Sequence, residues 1–148
     1  MKNKFKITKE KILSLLPHRE PFLFVDEIEE IIPGEKAIGI KKFKNDEIFF
    51  PTINSNNLTI PEAYIIEATA QVSAFILLTV NKYSNSLGLL ASVQDFKFFK
   101  KVNFNETLRI IANLIGLKLG IAKSLVEVFV NNKLVATGTI AVKIIEGG

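Results

Sequence analysis

The sequence predicts a single α+β domain over residues 1–148, in which one long apolar helix packs against a largely antiparallel sheet of five or six strands. Three observations support this prediction. The 148 residues suit one domain and contain no linker or internal repeat. The segment Thr59–Tyr83 has the pattern of a helix that is apolar nearly all round, and such a helix is buried on every side. Most of the chain after that segment is extended and rich in β-branched and aromatic residues.

A short helix is predicted first, over Ile7–Leu16, because its apolar residues recur on one side. Thr8 is placed to cap its beginning, and Pro17 is placed to end it. A hairpin follows. The extended segment Phe22–Ile32 closes in the turn Pro33–Gly34 and continues into a strand over Lys36–Lys44 with one apolar side.

Residues 45–60 are predicted to be irregular, because Asn and Ser at this density favour turns. The long helix then begins with Thr59 and Glu62 in the pattern of a capping box and Pro61 in the first turn. Four strands follow it, with a tight turn at Asn131–Asn132 and a looser one at Gly116–Gly120. Their predicted bounds are Gly88–Lys101, Thr107–Leu117, Ile121–Asn131 and Lys133–Ile145. A curved sheet wrapped around a fully apolar central helix, with a short N-terminal helix beside it, is the hotdog arrangement.

The composition excludes several kinds of site. The chain has no cysteine and one histidine, so it holds neither a disulfide framework nor a thiolate nor a multi-histidine metal site, and we expect no metal and no cofactor. The net charge of +4 comes almost entirely from scattered lysines, which indicates a solvated surface rather than a nucleic-acid interface. The alternative is a docking face for an acidic partner.

The location of the protein is predicted from two further segments. The basic N-terminus lacks the continuous apolar run of a signal peptide. The stretch Ala68–Asn81 is too short to span a membrane. We therefore expect a cytoplasmic protein without membrane contact.

The residue that stands out is Glu67, a carboxylate inside the apolar helix, with Gln71 one turn later on the same face. Burial of an unpaired carboxylate is costly, so Glu67 requires a hydrogen bond, a partner or a proton. Burial also disfavours the ionised form, which suits proton transfer near neutral pH. We predict that Glu67 is catalytic and that Gln71 binds substrate; the alternatives are a structural polar anchor or a side chain at a solvated helix edge.

The start of the long helix offers a second candidate site. The carboxylate of Glu62 is favourable beside the helix dipole, which explains its presence by capping alone. The backbone N–H groups around Glu62 and Ala63 can instead polarise a thioester carbonyl, as an oxyanion hole does, and we predict both residues to bind substrate.

Three motifs resemble the 3-hydroxyacyl-acyl carrier protein dehydratases. Residues Leu15–Asp26 (LLPHREPFLFVD) are similar to that family's LLPHRYPFLLVD, residues Ile65–Gln71 (IIEATAQ) to its xxEAMAQ helix, and residues Asp95–Val102 (DFKFFKKV) to its DKARFRRPV strand. The resemblance implies a hotdog fold, a dimer or a trimer of dimers, and an acyl chain bound in a tunnel at the dimer interface. It also implies an active site that pairs a histidine of one subunit with a glutamate of the other, and Glu67 stands at the glutamate position.

The chain departs from this family in the loop before the helix, where the family reads FFxGHFPxxPxMPG. In the ungapped register from Phe49–Phe50 to Pro61, Ile53 occupies the position of the catalytic histidine, and Asn54 follows it. We predict that Ile53 and Asn54 contact substrate, although Ile53 cannot transfer a proton. His18 matches a different histidine of the family and is predicted to support the turn after the first helix.

These residues leave several functions open. The chain is predicted to bind acyl thioesters of acyl carrier protein or coenzyme A in fatty acid or related acyl-chain biosynthesis. We expect dehydration by the homodimer to be inefficient, because loss of a general base typically costs 10²–10⁴-fold in rate. One alternative is the non-catalytic subunit of a heterodimer, whose partner supplies the histidine. The other is a thioesterase, in which Glu67, Gln71 and the Asn54–Asn57 run position water.

Overall fold

A computed structural model describes residues 4–19, 22–44 and 59–146 of the chain. Two helices and seven strands are present in these ranges. The helices are α1 (Lys9–Leu15) and α2 (Glu62–Leu78), and a short 3-10 turn follows at Asn81–Tyr83. The strands are β1 (Phe5–Ile7), β2 (Glu27–Ile32), β3 (Lys36–Lys42), β4 (Ser86–Phe98), β5 (Thr107–Lys118), β6 (Ile121–Val130) and β7 (Lys133–Glu146).

The seven strands form one antiparallel sheet in the order β1-β2-β3-β5-β6-β7-β4. The last strand, β7, lies between β6 and β4, so β4 ends the sheet on one side and β1 ends it on the other. The α+β prediction is therefore confirmed, with one strand more than expected. The additional strand is β1, which pairs Phe5 with Ile31 and whose last residue, Ile7, was assigned to the first helix.

Helix α2 lies in the hollow of the sheet and contacts every strand from β2 to β7. Its side chains are buried without interruption from Ala68 to Leu78, as the all-round apolar pattern predicts. The sheet approaches this helix most closely at two glycines. A Cβ atom on Gly39 would lie 2.6 Å from the Val72 side chain, and one on Gly88 would lie 2.9 Å from Ala74. The missing side chains let β3 and β4 pack directly on the helix.

The beginning of α2 differs from the predicted capping box. The N-cap residue is Pro61, which makes no side-chain capping hydrogen bond. Thr59 lies two residues earlier, where it forms an isolated bridge with Asn103. The capping-box prediction is wrong because the chain is still in sheet-like pairing at Thr59 and enters the helix only after Pro61.

The predicted start of α1 at Thr8 and the predicted tight turn at Asn131–Asn132 are confirmed. Thr8 caps α1 by accepting a hydrogen bond from the Lys11 backbone N–H at 3.2 Å. Asn131 and Asn132 both have positive φ angles, of 50° and 65°, as a two-residue hairpin turn requires. Neither of the two described helices is long and apolar enough to cross a membrane.

Candidate functional site

An open, mainly apolar cleft of about 440 Å³ lies between the segment after α1 and the first half of α2. Three of its six lining residues are Phe or Tyr, and the other three contribute an imidazole, a carboxyl group and an amide. The residues that line it are His18, Phe22, Phe24, Tyr64, Glu67 and Gln71. An apolar cleft with a few convergent polar groups is the usual form of a small-molecule site.

Glu67 lies on the second turn of α2 with its carboxyl group at the cleft. Its side chain is 35% exposed, so Glu67 lies at a solvated helix edge, which was the alternative to full burial. The helix is buried all round only from Ala68 onward, and the turns before it reach the rim of the sheet. Glu67 is consequently accessible to a ligand in the cleft.

Gln71 is buried, and its amide connects α2 to the chain after α1. Its Oε1 accepts a hydrogen bond from the Phe24 backbone N–H at 2.7 Å. Its Nε2 donates to the Phe22 carbonyl at 3.1 Å and to Glu67 Oε1 at 3.1 Å. The expected contact between Gln71 and Glu67, one turn apart, is therefore present, and Gln71 holds the carboxyl group in one orientation.

His18 also lies at this cleft, where the sequence analysis did not place it. Its Nε2 is 3.7 Å from Glu67 Oε1, within ion-pair range and longer than a hydrogen bond. Its Nδ1 is buried and has no hydrogen-bond partner among the described residues. The turn after α1, which His18 was predicted to support, is held instead by Arg19.

The guanidinium group of Arg19 donates to three carbonyl oxygens of that turn. The acceptors are Leu16 at 2.7 Å, His18 at 2.8 Å and Leu13 at 2.9 Å. These bonds fix the His18 backbone from one side. The bonds from Gln71 fix Phe22 and Phe24 from the other. The motif that opens the dehydratase resemblance thus places an imidazole beside the helix carboxylate.

The remaining predicted site residues do not line this cleft or are not among the described residues. Glu62 lines a separate cavity of about 520 Å³ at the start of α2, next to Lys101 and Phe98. Ala63 is exposed and lines neither cavity. Ile53 and Asn54 lie outside the described residues. Among the predicted site residues in the described ranges, only Glu67 and Gln71 share one cleft.

The chain matches the family of FabA-like domains over residues 16–139. It is 37% identical to the 3-hydroxyacyl-[acyl-carrier-protein] dehydratase FabZ of Syntrophomonas wolfei over 91% of this chain and 94% of that protein. It is 38% identical to the FabZ dehydratase of Caldicellulosiruptor saccharolyticus over 86% of this chain and 91% of that protein.

Two solved structures have a similar fold at 17% sequence identity. One is the dehydratase heterocomplex ApeI:P from Xenorhabdus doucetiae, with a TM-score of 0.74 over 89% of each chain. The other is the sigma28-regulated virulence protein Cj0977 from Campylobacter jejuni, with a TM-score of 0.67 over 90% of this chain and 87% of that chain. At this identity the likeness concerns the hotdog fold alone.

Proposed function

The chain belongs to the FabA-like family, and from this premise we propose that it binds 3-hydroxyacyl thioesters of acyl carrier protein and dehydrates them to enoyl thioesters in fatty acid biosynthesis. The observation that carries the proposal is Glu67, a carboxyl group oriented by Gln71 at an apolar cleft and aligned with the glutamate of the dehydratase motif. The aromatic walls suit an acyl chain, and the carboxyl group suits proton transfer at the carbons next to the thioester.

Dehydration requires removal of a proton from C2 and departure of the C3 hydroxyl group as water. Gln71 Nε2 donates a hydrogen bond to Glu67 Oε1, and an ionised carboxylate accepts hydrogen bonds without donating any. This arrangement suits Glu67 as the base that takes the C2 proton. Ile53, at the position of the family's histidine, cannot supply the proton for the hydroxyl group, so this step needs another residue or a partner subunit.

The experiment uses the purified full chain with a 3-hydroxyacyl-acyl carrier protein and no added metal or cofactor, and follows enoyl and free thiol products separately. We expect enoyl product, and a loss of about 10²–10⁴-fold in kcat in Glu67→Gln. Glu10→Gln, an exposed glutamate of α1, is the matched control and should leave kcat unchanged.

Three outcomes would contradict this proposal in different ways. Free thiol without enoyl product would identify a thioesterase. Tight binding of the acyl thioester with neither product would identify a non-catalytic binding protein. Full turnover in Glu67→Gln would show that Glu67 is not a catalytic residue.

The carrier protein is proposed as the partner because lysines cluster near the start of α2. Lys101 lines both the cavity beside Glu62 and a smaller pocket in which Lys100 and Lys133 outnumber one carboxylate, Glu106. Such a cationic group suits an acidic carrier. We expect KM for the carrier-linked substrate to rise with salt, and KM for the same acyl group on pantetheine to stay constant. Equal salt dependence of the two would exclude docking through these lysines.

We also propose that two copies of the chain associate through β4, a strand of 13 residues at the edge of the sheet. Four large apolar side chains are exposed on it: Leu87, Leu89, Leu90 and Val93. A long apolar edge strand is a template for pairing with another chain.

Sedimentation equilibrium tests this association. We expect dimers or larger even oligomers, and a shift to monomer in Leu89→Lys, because a charged residue on the edge opposes strand pairing. Ile115→Lys, an exposed apolar residue on the inner strand β5, is the matched control. A monomeric native protein would refute the homodimer, and a dimer that appears only with a second, histidine-containing homologue would support the heterodimer instead.

A further inference from the structure

His18 is the only histidine of the chain, and the described structure places it in the same cleft as Glu67. The resemblance to the dehydratases implies a histidine from the loop before α2, contributed across the dimer. Here the imidazole comes from the segment after α1 and faces the carboxyl group of its own subunit at 3.7 Å. If a reaction step depends on a histidine of this chain, His18 is the only candidate.

The environment of the His18 ring suits proton transfer. Its Nε2 faces the cleft, 3.7 Å from the Glu67 carboxyl group. The ring is mostly enclosed, while its backbone is held by Arg19. Catalytic hydrogen bonds are often long before substrate binds, so the present distance to Glu67 is compatible with direct proton exchange in the complex.

Building on the proposed function, we propose that His18 is the general acid of the dehydration and forms a catalytic pair with Glu67 within one subunit. The Glu67 carboxylate takes the proton from C2, and the electron pair of that C–H bond forms the C2–C3 double bond. The C3–O bond breaks, and its oxygen leaves as water with a proton from the His18 imidazolium. The proton on Glu67 then passes to the neutral His18 ring, which restores both groups.

The test measures kcat and KM against pH for the full chain and for His18→Gln, with thermal unfolding to verify the fold. We expect kcat to fall by about 10²–10⁴-fold and the alkaline decline of the native profile to disappear, because imidazolium is the acid that high pH removes. The other titratable or charged groups of the described residues that face His18 are Glu67, Tyr64 and the neighbouring Arg19. Lys11→Gln, on the exposed side of α1, is the matched control and should retain the native profile.

A second variant separates chemistry from structure. The cleft is open, so imidazole added to His18→Gly is expected to restore part of the lost turnover, which a merely structural histidine would not permit. A native protein that forms no enoyl product would overturn the proposed function together with this inference. Native turnover with an unchanged kcat and pH profile in a folded His18→Gln would overturn the inference and leave the proposed function in place. Reduced turnover in His18→Gly without imidazole rescue would likewise refute the acid assignment.

Discussion

Replacement of Gln71 by methionine tests whether this amide joins α2 to the segment that carries His18. Methionine has a similar volume but removes the acceptor of the Phe24 N–H, which is bonded at 2.7 Å in a buried position. A buried donor that loses its partner costs about 1–3 kcal/mol. The bonds to Phe22 and Glu67 contribute less, because Phe22 is exposed and Glu67 is 35% exposed, so water can replace them. We therefore expect the free energy of unfolding to fall by about 1–3 kcal/mol, and Tm to fall by roughly 3–10 °C for a chain of this size.

Urea unfolding of Gln71→Met and of the native protein at one pH measures this change. Ser73→Ala is the matched control: Ser73 is also buried on α2, but its hydroxyl group donates only to the Ala70 carbonyl of the same helix. A double-mutant cycle with Glu67→Ala, which removes the acceptor, isolates the bond between the two side chains, for which we expect a coupling of about 0.5–1.5 kcal/mol. An unfolding free energy of Gln71→Met equal to that of the native protein would refute the assignment of Gln71 as the anchor of this segment.

Two further predictions concern stability. Gly39→Ala should lower the free energy of unfolding by about 1–3 kcal/mol, since the new Cβ would lie 2.6 Å from Val72. Gly116→Ala is the control and should not lower the free energy of unfolding in this way, because nothing lies within 4 Å of its new Cβ. Equal losses of unfolding free energy in the two variants, measured by urea unfolding, would disprove this explanation. The Lys4 side chain, hydrogen-bonded to Glu30 at 2.8 Å, lowers the pKa of that carboxyl group. The folded state thus favours ionised Glu30, whose contribution of about 0–1 kcal/mol is present at neutral pH and is lost as the pH falls through its lowered pKa. Lys4→Gln should make the free energy of unfolding fall less steeply at acidic pH. The same pH dependence in Lys4→Gln and in the native protein would contradict this role of Lys4.

The elements that the sequence predicted well are those decided by neighbouring residues. Thr8 caps the first helix, and Asn131–Asn132 forms the tight turn, because both depend on local backbone preferences. The short strand β1 was missed, because three residues in a lysine-rich stretch show no periodicity of their own. It exists only through its pairing with β2.

Part of the candidate site also depends on residues close together in the chain, and that part could be predicted. The contact between Glu67 and Gln71 follows from helix geometry. The exposure of Glu67 could be given only as an alternative to burial, since it depends on where the sheet stops covering α2. The approach of His18 to Glu67 joins residues 49 positions apart and depends on bonds from Arg19 and Gln71 to backbone groups, which have no pattern in the sequence.

The position of β7 between β6 and β4 has a consequence during synthesis. Strand β4 pairs Ser86 with Glu146 and Phe98 with Ala136, so it leaves the ribosome well before the strand beside it exists. Strands β5, β6 and β7 form hairpins with strands that are adjacent in the sequence. Strand β4 remains unpaired until β7 is made, and its apolar residues stay exposed until then. The nascent chain is therefore most open to chaperones and to aggregation in this interval, which ends when the final strand emerges and joins the two parts of the sheet.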